Sequence, residues 1–215
     1  VSIIGSMTRY GGLCSKGTEE YASDILAAEM DDSVSGIVLY LNTPGGQVDG
    51  TEMLGSVIAN CKKPVVAYVA GMAASAGYWV ASQCREIVME SETSSEVGSI
   101  GVRAMHVDAS EHYAKEGFKY TIVRSEGSED KALWNSLEPL SDAVLSEAKA
   151  ELSVIKKAFI STVKKGRPGI DSGVFTGKMY FGKDAISLGM ADRIGYMGDA
   201  IRRVDLLARA STRSA

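Results

Sequence analysis

Apolar residues fall into short continuous runs that alternate with longer stretches of helical spacing. Gly36 to Leu41 is one such run, and Val65 to Ala70 is a second, rich in β-branched residues. Runs of this kind are typical of parallel strands covered on both faces. The segment Met53 to Asn60 between them has helical spacing, and Glu86 to Glu90 is a further strand candidate. Strand, glycine turn and helix repeat, which predicts a right-handed parallel α/β layer.

The remaining elements follow from caps and periodicity. Thr18 is predicted to be the N-cap of a helix to about Met30, because two acidic residues follow it. A long amphipathic helix is predicted for Ser141 to Lys165, ahead of a Gly-Arg-Pro stop. The other predictions are an edge strand at Val1 to Gly5, a helix at Asp108 to Glu116, a strand at Phe118 to Arg124 and a polar loop at Ser125 to Asn135. Within Val174 to Gly195 we expect a hairpin-like pair followed by a short helix at Asp184 to Leu188, and a last helix is predicted at Gly198 to Ala210.

Composition places the chain among globular proteins. It has 215 residues, of which 45% are hydrophobic and 23% charged. This length predicts one domain over residues 1–215, with a core to about residue 196 and a C-terminal helical extension over 197–215. The net charge of −4 predicts no basic surface for nucleic acid.

The cysteines indicate neither a disulfide framework nor a zinc site. Cys14, Cys61 and Cys84 form an odd set without CxxC spacing, so we expect reduced core thiols and no metal.

No basic-then-apolar leader follows Val1, and the uncharged stretch from Pro64 to Ser82 is too rich in glycine, alanine and serine for a membrane span. Membrane association is therefore not predicted from these residues, although a piece cut from an anchored protein would look the same.

Ser75 is the candidate nucleophile. The run Val65 to Ala70 breaks at Gly71, and small residues around Ser75 mark a helix start. A serine at a strand-to-helix turn has an exposed hydroxyl and lies beside unpaired backbone N–H groups. A small residue in a packed turn is the competing interpretation.

The turn Pro44-Gly45-Gly46 follows the preceding strand of the predicted sheet. Two glycines let the backbone approach a ligand closely with its N–H groups turned outward. Neighbouring parallel strands place their C-terminal turns on the same edge of the sheet, so this turn and Ser75 are expected to be neighbours.

A serine hydroxyl needs a base to remove its proton. His112 lies in a charged helix and is expected at the surface, while His106 has a more apolar setting with Asp108 nearby. Lys131 lies in the polar loop, and a lysine acts as a base where burial or a hydrogen-bonding hydroxyl keeps it neutral. Glu129 and Asp130 would have to face away from its amine. The residues alone leave both kinds of base open.

Five motifs in order resemble the signal peptide peptidase A family of Ser/Lys serine peptidases, which includes phage head-maturation proteases. They cover about residues 36–195 and read N-T-P-G-G, G-M-A-A-S-A-G-Y-W-V-A, V-G-S-I-G-V, the Lys131 segment and F-T-G-K-M-Y-F-G-K-D-A-I-S-L-G-M-A-D-R-I-G. The resemblance implies a Clp protease/crotonase-like fold of stacked βα units. It implies Ser75 as nucleophile, Lys131 as base and the N–H groups of Gly46 and Ala76 as oxyanion hole.

The resemblance also implies a substrate site at Gly45 and Gly46, hydrolysis of peptide bonds and no cofactor. Two departures stand out: Ala76 replaces a common glycine, and Thr43 replaces a common serine without expected consequence. A homo-oligomer is implied, with active sites near protomer interfaces. An isolated chain is expected either to have Ser75 and Lys131 too far apart to hydrogen-bond or to have a poorly ordered Lys131 loop.

The resemblance leaves the substrate open between signal peptides and phage capsid or scaffold proteins. Free cysteines and the acidic charge favour a cytoplasmic phage or prophage type. The alternatives are a crotonase-like acyl-CoA enzyme, which would use the same two N–H donors without Ser75, and a catalytically silent oligomeric capsid or scaffold component.

Overall fold

The computed structural model describes residues 1–13 and 15–213. The chain forms two compact units, a core unit (Val1–Gly101 with Ala158–Ala215) and an inserted unit (Val102–Lys157). The expectation of one peptidase domain over residues 1–215 stays a prediction. Cys14 lies outside the described residues.

Seven strands of the described chain form one sheet in the core unit. Strands β1 to β4 lie in sequence order, with β7 beside β4, and each pairs in parallel with its neighbour. Strand β5 pairs in parallel with the end of β3, and β6 pairs antiparallel with β5. The predicted parallel α/β layer is confirmed. The strands are β1 Ser2–Ile4, β2 Ile37–Thr43, β3 Val65–Ala74, β4 Glu86–Met89, β5 Glu96–Gly98, β6 Met179–Phe181 and β7 Arg193–Ile194.

Helices cover both faces of the sheet. The main core lies on one face of the sheet. There, alternate residues of β2 and β3 pack against four helices, namely α1, α2, α3 and the end of α5. Helix α7 covers the other face, with Ala200 and Val204 against Val66 and Val88. The helices are α1 Thr18–Met30, α2 Thr51–Asn60, α3 Ala76–Ala81, α4 Ser110–Lys115, α5 Asp142–Gly166, α6 Gly182–Ser187 and α7 Met197–Arg213, with a 3-10 turn at Ser172–Val174.

Helix α3 is anchored by its aromatic residues. Trp79 stacks on Phe159 with ring centroids 4.5 Å apart and an interplanar angle of 14°. The Tyr78 hydroxyl donates a 2.9 Å hydrogen bond to the Met190 carbonyl, and burial raises the pKa of this phenol. Both rings are buried, so the helix that follows Ser75 is held from two sides of the core unit.

The inserted unit contains α4 and the start of α5. None of residues 102–157 is buried. Exposed apolar side chains are instead common, with Val123 88% and Trp134 42% accessible. This unit lacks the packed core that the conformational entropy of an ordered chain requires.

Three local predictions were wrong. Phe118 to Arg124 forms no strand, because its aromatic residues cluster with Tyr113 instead of pairing with a strand. The hairpin-like pair is absent, since β6 and β7 are separated by α6 and pair with β5 and β4. Thr18 is the first residue of α1 and Gly17 is its N-cap, whose N–H donates to Glu20.

Replacing Phe159 with alanine is expected to destabilise the core unit by about 3–5 kcal/mol, because it leaves a cavity against Trp79. The free energy of unfolding in urea measures the loss. Phe181→Ala is the matched control, since Phe181 is 47% exposed and should cost about 1 kcal/mol or less. Equal losses for the two variants would contradict the packing role of Phe159.

Candidate active site

Ser75 connects strand β3 to helix α3 in an uncommon backbone conformation. Its φ of 54° and ψ of −120° lie in a region that residues with a side chain rarely adopt. The residue is half-buried. Among the described residues of the core unit, no group forms a hydrogen bond with its Oγ. The turn therefore presents an accessible, unpaired hydroxyl.

Two backbone hydrogen bonds hold this conformation. The Ser75 N–H donates to the Gly98 carbonyl at 2.9 Å, and the Ser75 carbonyl accepts from the Trp79 N–H at 2.9 Å. The first bond joins the turn to the end of β5 and the second belongs to α3. Ser99, which follows Gly98, also has a positive φ of 54°. Two strained serines thus flank one junction between β3 and β5.

The glycine turn after β2 contacts the Ser75 turn directly. A Cβ on Gly45 would lie 2.8 Å from both Ser75 Cβ and the Ala76 nitrogen, and Gly45 has a φ of 87°. A Cβ on Gly77 would lie 2.6 Å from the Thr43 methyl carbon. The two turns pack backbone against backbone, as predicted from their place in neighbouring strands.

The direction of the Gly46 N–H follows from peptide planarity. The Gly45 carbonyl accepts a 2.8 Å hydrogen bond from the Met7 N–H, and Gln47 donates to the Met7 carbonyl at 2.9 Å. The described chain has no cis peptide, so the N–H of Gly46 points opposite to the Gly45 carbonyl and away from Met7. No described residue of the core unit accepts from it. A Cβ on Gly46 would lie 1.9 Å from the Met7 oxygen, so this position requires glycine.

Thr43 fixes the start of the same turn. Its buried hydroxyl donates to the Gly5 carbonyl at 2.6 Å and accepts from the Gly45 N–H at 3.0 Å. A serine could make the same two bonds, in agreement with the expectation that this departure is harmless.

Ala76 begins α3, and its N–H has no acceptor among the described residues of the core unit. The core unit thus offers two free N–H groups, on Gly46 and Ala76.

Lys131 lies in the inserted unit and is exposed. Its N–H donates to the Ser128 carbonyl at 3.0 Å and its carbonyl accepts from Arg124 Nε at 2.6 Å. The Glu129 carboxylate accepts from the Gly127 N–H at 3.0 Å, and no described carboxylate of this unit forms an ion pair with the Lys131 amine. The Glu129 carboxylate is therefore bound to the Gly127 backbone and not to the Lys131 amine, as the expectation for Glu129 requires.

The histidines have other partners. His112 is exposed near Glu116, and His106 Nε2 lies 2.5 Å from the Asn135 carbonyl oxygen. Asp108 accepts from the Ser110 N–H and forms no described hydrogen bond with His106. The inserted unit therefore contains no described histidine–carboxylate hydrogen bond.

Cys61 and Cys84 are free and buried, and burial raises the pKa of both thiols. Both are therefore protonated core residues.

Within the described chain, no three histidine, cysteine or acidic side chains are grouped closely enough to hold a metal ion. None of its helices is long and apolar enough to span a membrane.

The family model for peptidase family S49 matches residues 58–211, and the model for Clp protease matches residues 8–93. The chain belongs to peptidase family S49. The residues that match the S49 model include Ser75 and Lys131, and the residues that match the Clp model include the turn Pro44-Gly45-Gly46.

Similar proteins include Protease 4 of Salmonella typhi, 30% identical over 199 residues that are 90% of this chain and 31% of that protein. Capsid assembly protease C of Escherichia phage lambda is 30% identical over 201 residues, 91% of this chain and 43% of that protein. A putative protease of Methanocaldococcus jannaschii is 32% identical over 191 residues, which are 85% of this chain and 59% of that protein. This chain therefore spans less than two thirds of the length of each of these three relatives.

A variant of the 1510-N membrane-bound stomatin-specific protease has a TM-score of 0.58 and 18% identity, covering 94% of this chain and 81% of that one. A second variant, in complex with a substrate peptide, has a TM-score of 0.53 over 94% of this chain and 76% of that one. The family and the Clp-like fold predicted from the motifs are confirmed. The roles of Ser75, Lys131, Gly45, Gly46 and Ala76 stay predictions.

Sequence reasoning gave no role to Met7, Thr43 or Ser99. The V-G-S-I-G-V motif contained a signal for Ser99, because glycine next to serine after a strand favours a special turn. Met7 carries no such signal. Its role depends on a tertiary pairing with Gly46.

Replacing Thr43 with valine is expected to destabilise the S49 chain by about 1–3 kcal/mol, because the shape is kept while the Gly45 N–H loses its acceptor. Urea unfolding measures the stability. Thr43→Ser retains the hydroxyl and is the control, with a loss of about 1 kcal/mol or less from the missing methyl group. A valine variant as stable as the serine variant would show that the hydroxyl does not fix the turn.

Proposed function

We propose that the chain is a serine endopeptidase that hydrolyses peptide bonds through a Ser75–Lys131 dyad. The observation that carries this proposal is the strained turn of Ser75, whose unpaired Oγ adjoins a turn with free N–H groups. Strained backbone concentrates at functional sites, and an exposed serine beside N–H donors is the arrangement that acyl transfer uses. Membership of family S49 supports the same chemistry.

The reaction begins with transfer of the Ser75 hydroxyl proton to the neutral Lys131 amine. The Oγ then bonds to the substrate carbonyl carbon, and the N–H groups of Gly46 and Ala76 donate to the oxyanion. Loss of one such donor typically costs about 10²–10³ in rate. The lysine ammonium gives its proton to the substrate nitrogen as the C–N bond breaks, which leaves the acyl group as an ester on Ser75. The neutral lysine amine then removes a proton from water, and the hydroxide bonds to the ester carbonyl carbon. The ammonium returns this proton to the Ser75 oxygen as the ester bond breaks and the acid product leaves.

The surroundings of Lys131 support its assignment as base. Glu129 is engaged with the backbone of Gly127, and the amine has no ion pair with a described residue of the inserted unit. A lysine paired with a carboxylate would be held as an ammonium and could not accept a proton. The amine is thus available to a partner hydroxyl.

Homo-oligomerisation is part of the proposal, with active sites near protomer interfaces. The inserted unit carries Lys131 and has no buried residue, yet it exposes Phe118, Val123 and Trp134. A segment without its own core gains stability when its apolar side chains are covered by a partner. A second copy of the chain fits this need and would let Lys131 complete the site of a neighbour.

The substrate is a peptide or protein. Relatives named as a capsid assembly protease and as Protease 4 support a role in phage protein processing or in signal peptide breakdown. We favour the phage or prophage type and a cytoplasmic location, because Cys61 and Cys84 are free and the net charge is −4.

A fluorophosphonate probe is expected to label Ser75 covalently, because the oxygen of an activated serine bonds to its phosphorus atom and displaces fluoride. Ser75→Ala should abolish labelling, and Lys131→Ala should slow it by about 10²-fold or more, since general-base catalysis contributes 10²–10⁴. Intact-protein mass spectrometry measures the rate. Lys119→Ala is the control, because Lys119 is another exposed lysine of the inserted unit.

Unlabelled wild-type protein in its oligomeric state would contradict the proposal and favour the silent scaffold. Hydrolysis of an acyl-CoA thioester that survives Ser75→Ala would instead favour a crotonase-like enzyme, whose chemistry needs only the two N–H donors.

Mixing the inactive variants Ser75→Ala and Lys131→Ala is expected to restore peptidase activity if each site combines two chains. Random exchange in a symmetric assembly gives about a quarter of the sites both native residues. Peptide hydrolysis after partial dissociation and reassociation measures the recovery. Each variant alone is the control. Absence of recovery, with mixed oligomers confirmed by native mass spectrometry, would place the dyad within one chain.

A further inference from the structure

The backbone around Lys131 needs a stabilising interaction other than apolar packing. No residue of the inserted unit is buried, so a hydrophobic core does not hold the segment that carries the amine. A catalytic base must nevertheless be held within about half an ångström of its productive position. Within a single chain, hydrogen bonds in the unit are what can order this segment.

Arg124 supplies four of these hydrogen bonds. Its Nε donates to the Lys131 carbonyl at 2.6 Å, and one terminal nitrogen donates to the Ala132 carbonyl at 3.3 Å. This same nitrogen donates to Glu138 Oε2 at 2.7 Å, and the other terminal nitrogen donates to Glu138 Oε1 at 3.3 Å. The Arg124 side chain is only 16% exposed. The planar fork of the guanidinium joins the Lys131 segment to Glu138.

Asn135 completes the network. Its Nδ2 donates to the Ala132 carbonyl at 2.8 Å and to Glu138 at 2.9 Å, and its Oδ1 accepts from the Leu137 N–H at 2.8 Å. Arg124 and Asn135 lower the pKa of Glu138, so this carboxylate stays ionised below its ordinary range. The network therefore persists through neutral and mildly acidic pH.

Ala132 shows that the network imposes a conformation. Its φ of 58° is positive, a conformation that a residue with a side chain rarely adopts. The residue follows Lys131 directly, and its carbonyl accepts from both Arg124 and Asn135. These bonds hold the strained turn and so fix the path of the backbone next to Lys131.

We propose that Arg124 is a positioning residue for the base, acting through the backbone of Lys131 and Ala132 with Glu138 and Asn135 as its supports. The inference rests on the proposed function, because it assigns Arg124 to the same reaction. Arg124 does not touch the substrate. Its effect is to order the segment so that the amine reaches the serine hydroxyl in one geometry.

The test compares Arg124→Gln with Arg124→Lys in the full-length oligomer. Arg124→Gln should lower kcat for a peptide substrate about tenfold with KM within about twofold, because misplacing a base slows the chemical step without weakening substrate binding. Arg124→Lys should give an intermediate kcat, since an ammonium keeps the charge but lacks the planar fork that reaches two carbonyls and a carboxylate in fixed directions. Lys115→Gln is the control, because it removes only an exposed ion pair with Glu111.

Hydrogen exchange provides a readout that needs no activity. The N–H groups of Lys131, Leu137 and Glu138, which are hydrogen-bonded within this segment, should exchange at least about tenfold faster in Arg124→Gln than in Lys115→Gln. Unchanged exchange, or faster exchange with a wild-type kcat, would overturn the inference. A wild-type oligomer without peptidase activity would overturn the proposed function instead, while the exchange data would still decide whether Arg124 orders the segment.

Discussion

The left-handed backbone of Ser75 is the constraint on which the site depends. A residue with a side chain pays about 1–3 kcal/mol for such a conformation, so the surroundings must enforce it. Gly98 accepts the Ser75 N–H, Trp79 donates to its carbonyl, and Gly45 lies against its Cβ. Each of these contacts comes from a different element of the core unit. The stacking of Trp79 on Phe159 extends the support into the hydrophobic core, so core packing and the aim of the hydroxyl are coupled.

The two units solve the problem of positioning in different ways. The proposed nucleophile and N–H donors lie on a sheet with buried strands, where close packing leaves few alternative conformations. The proposed base lies in a unit without buried residues, where Arg124, Glu138 and Asn135 order the chain through hydrogen bonds. In the proposed homo-oligomer, such a unit would gain order from a partner surface. A dyad divided in this way would be assembled together with the oligomer, which would limit proteolysis by the isolated chain.

Much of the fold could be predicted from local pattern, because buried parallel strands have a distinctive apolar signal. The order of the strands alone predicted that the glycine turn lies next to Ser75. The close approach of Gly45 to Ser75 in the structure agrees with this prediction. Phe118 to Arg124 resembled a strand because its residues favour strands, but strand formation also requires a neighbour with free N–H and carbonyl groups, which this segment lacks. The same limit hid Met7, whose contribution is a pairing with Gly46 and not a property of its own sequence neighbourhood.

Gly45 and Gly46 are required for different physical reasons. This difference explains how the N–H of Gly46, the proposed oxyanion donor, is oriented. Gly45 has a left-handed backbone against Ser75, whereas Gly46 leaves room for the Met7 carbonyl. Met7 is 1% exposed and anchored in the core, and Arg9 beyond it donates to Glu19 and Asp49 at 2.8 Å each. The segment is thus fixed at both ends, one apolar and one charged. Because the Gly45 carbonyl is bonded to this segment, the opposite N–H of Gly46 has a fixed direction in the free chain. In the proposed mechanism this N–H would therefore donate to the developing oxyanion without reorganisation.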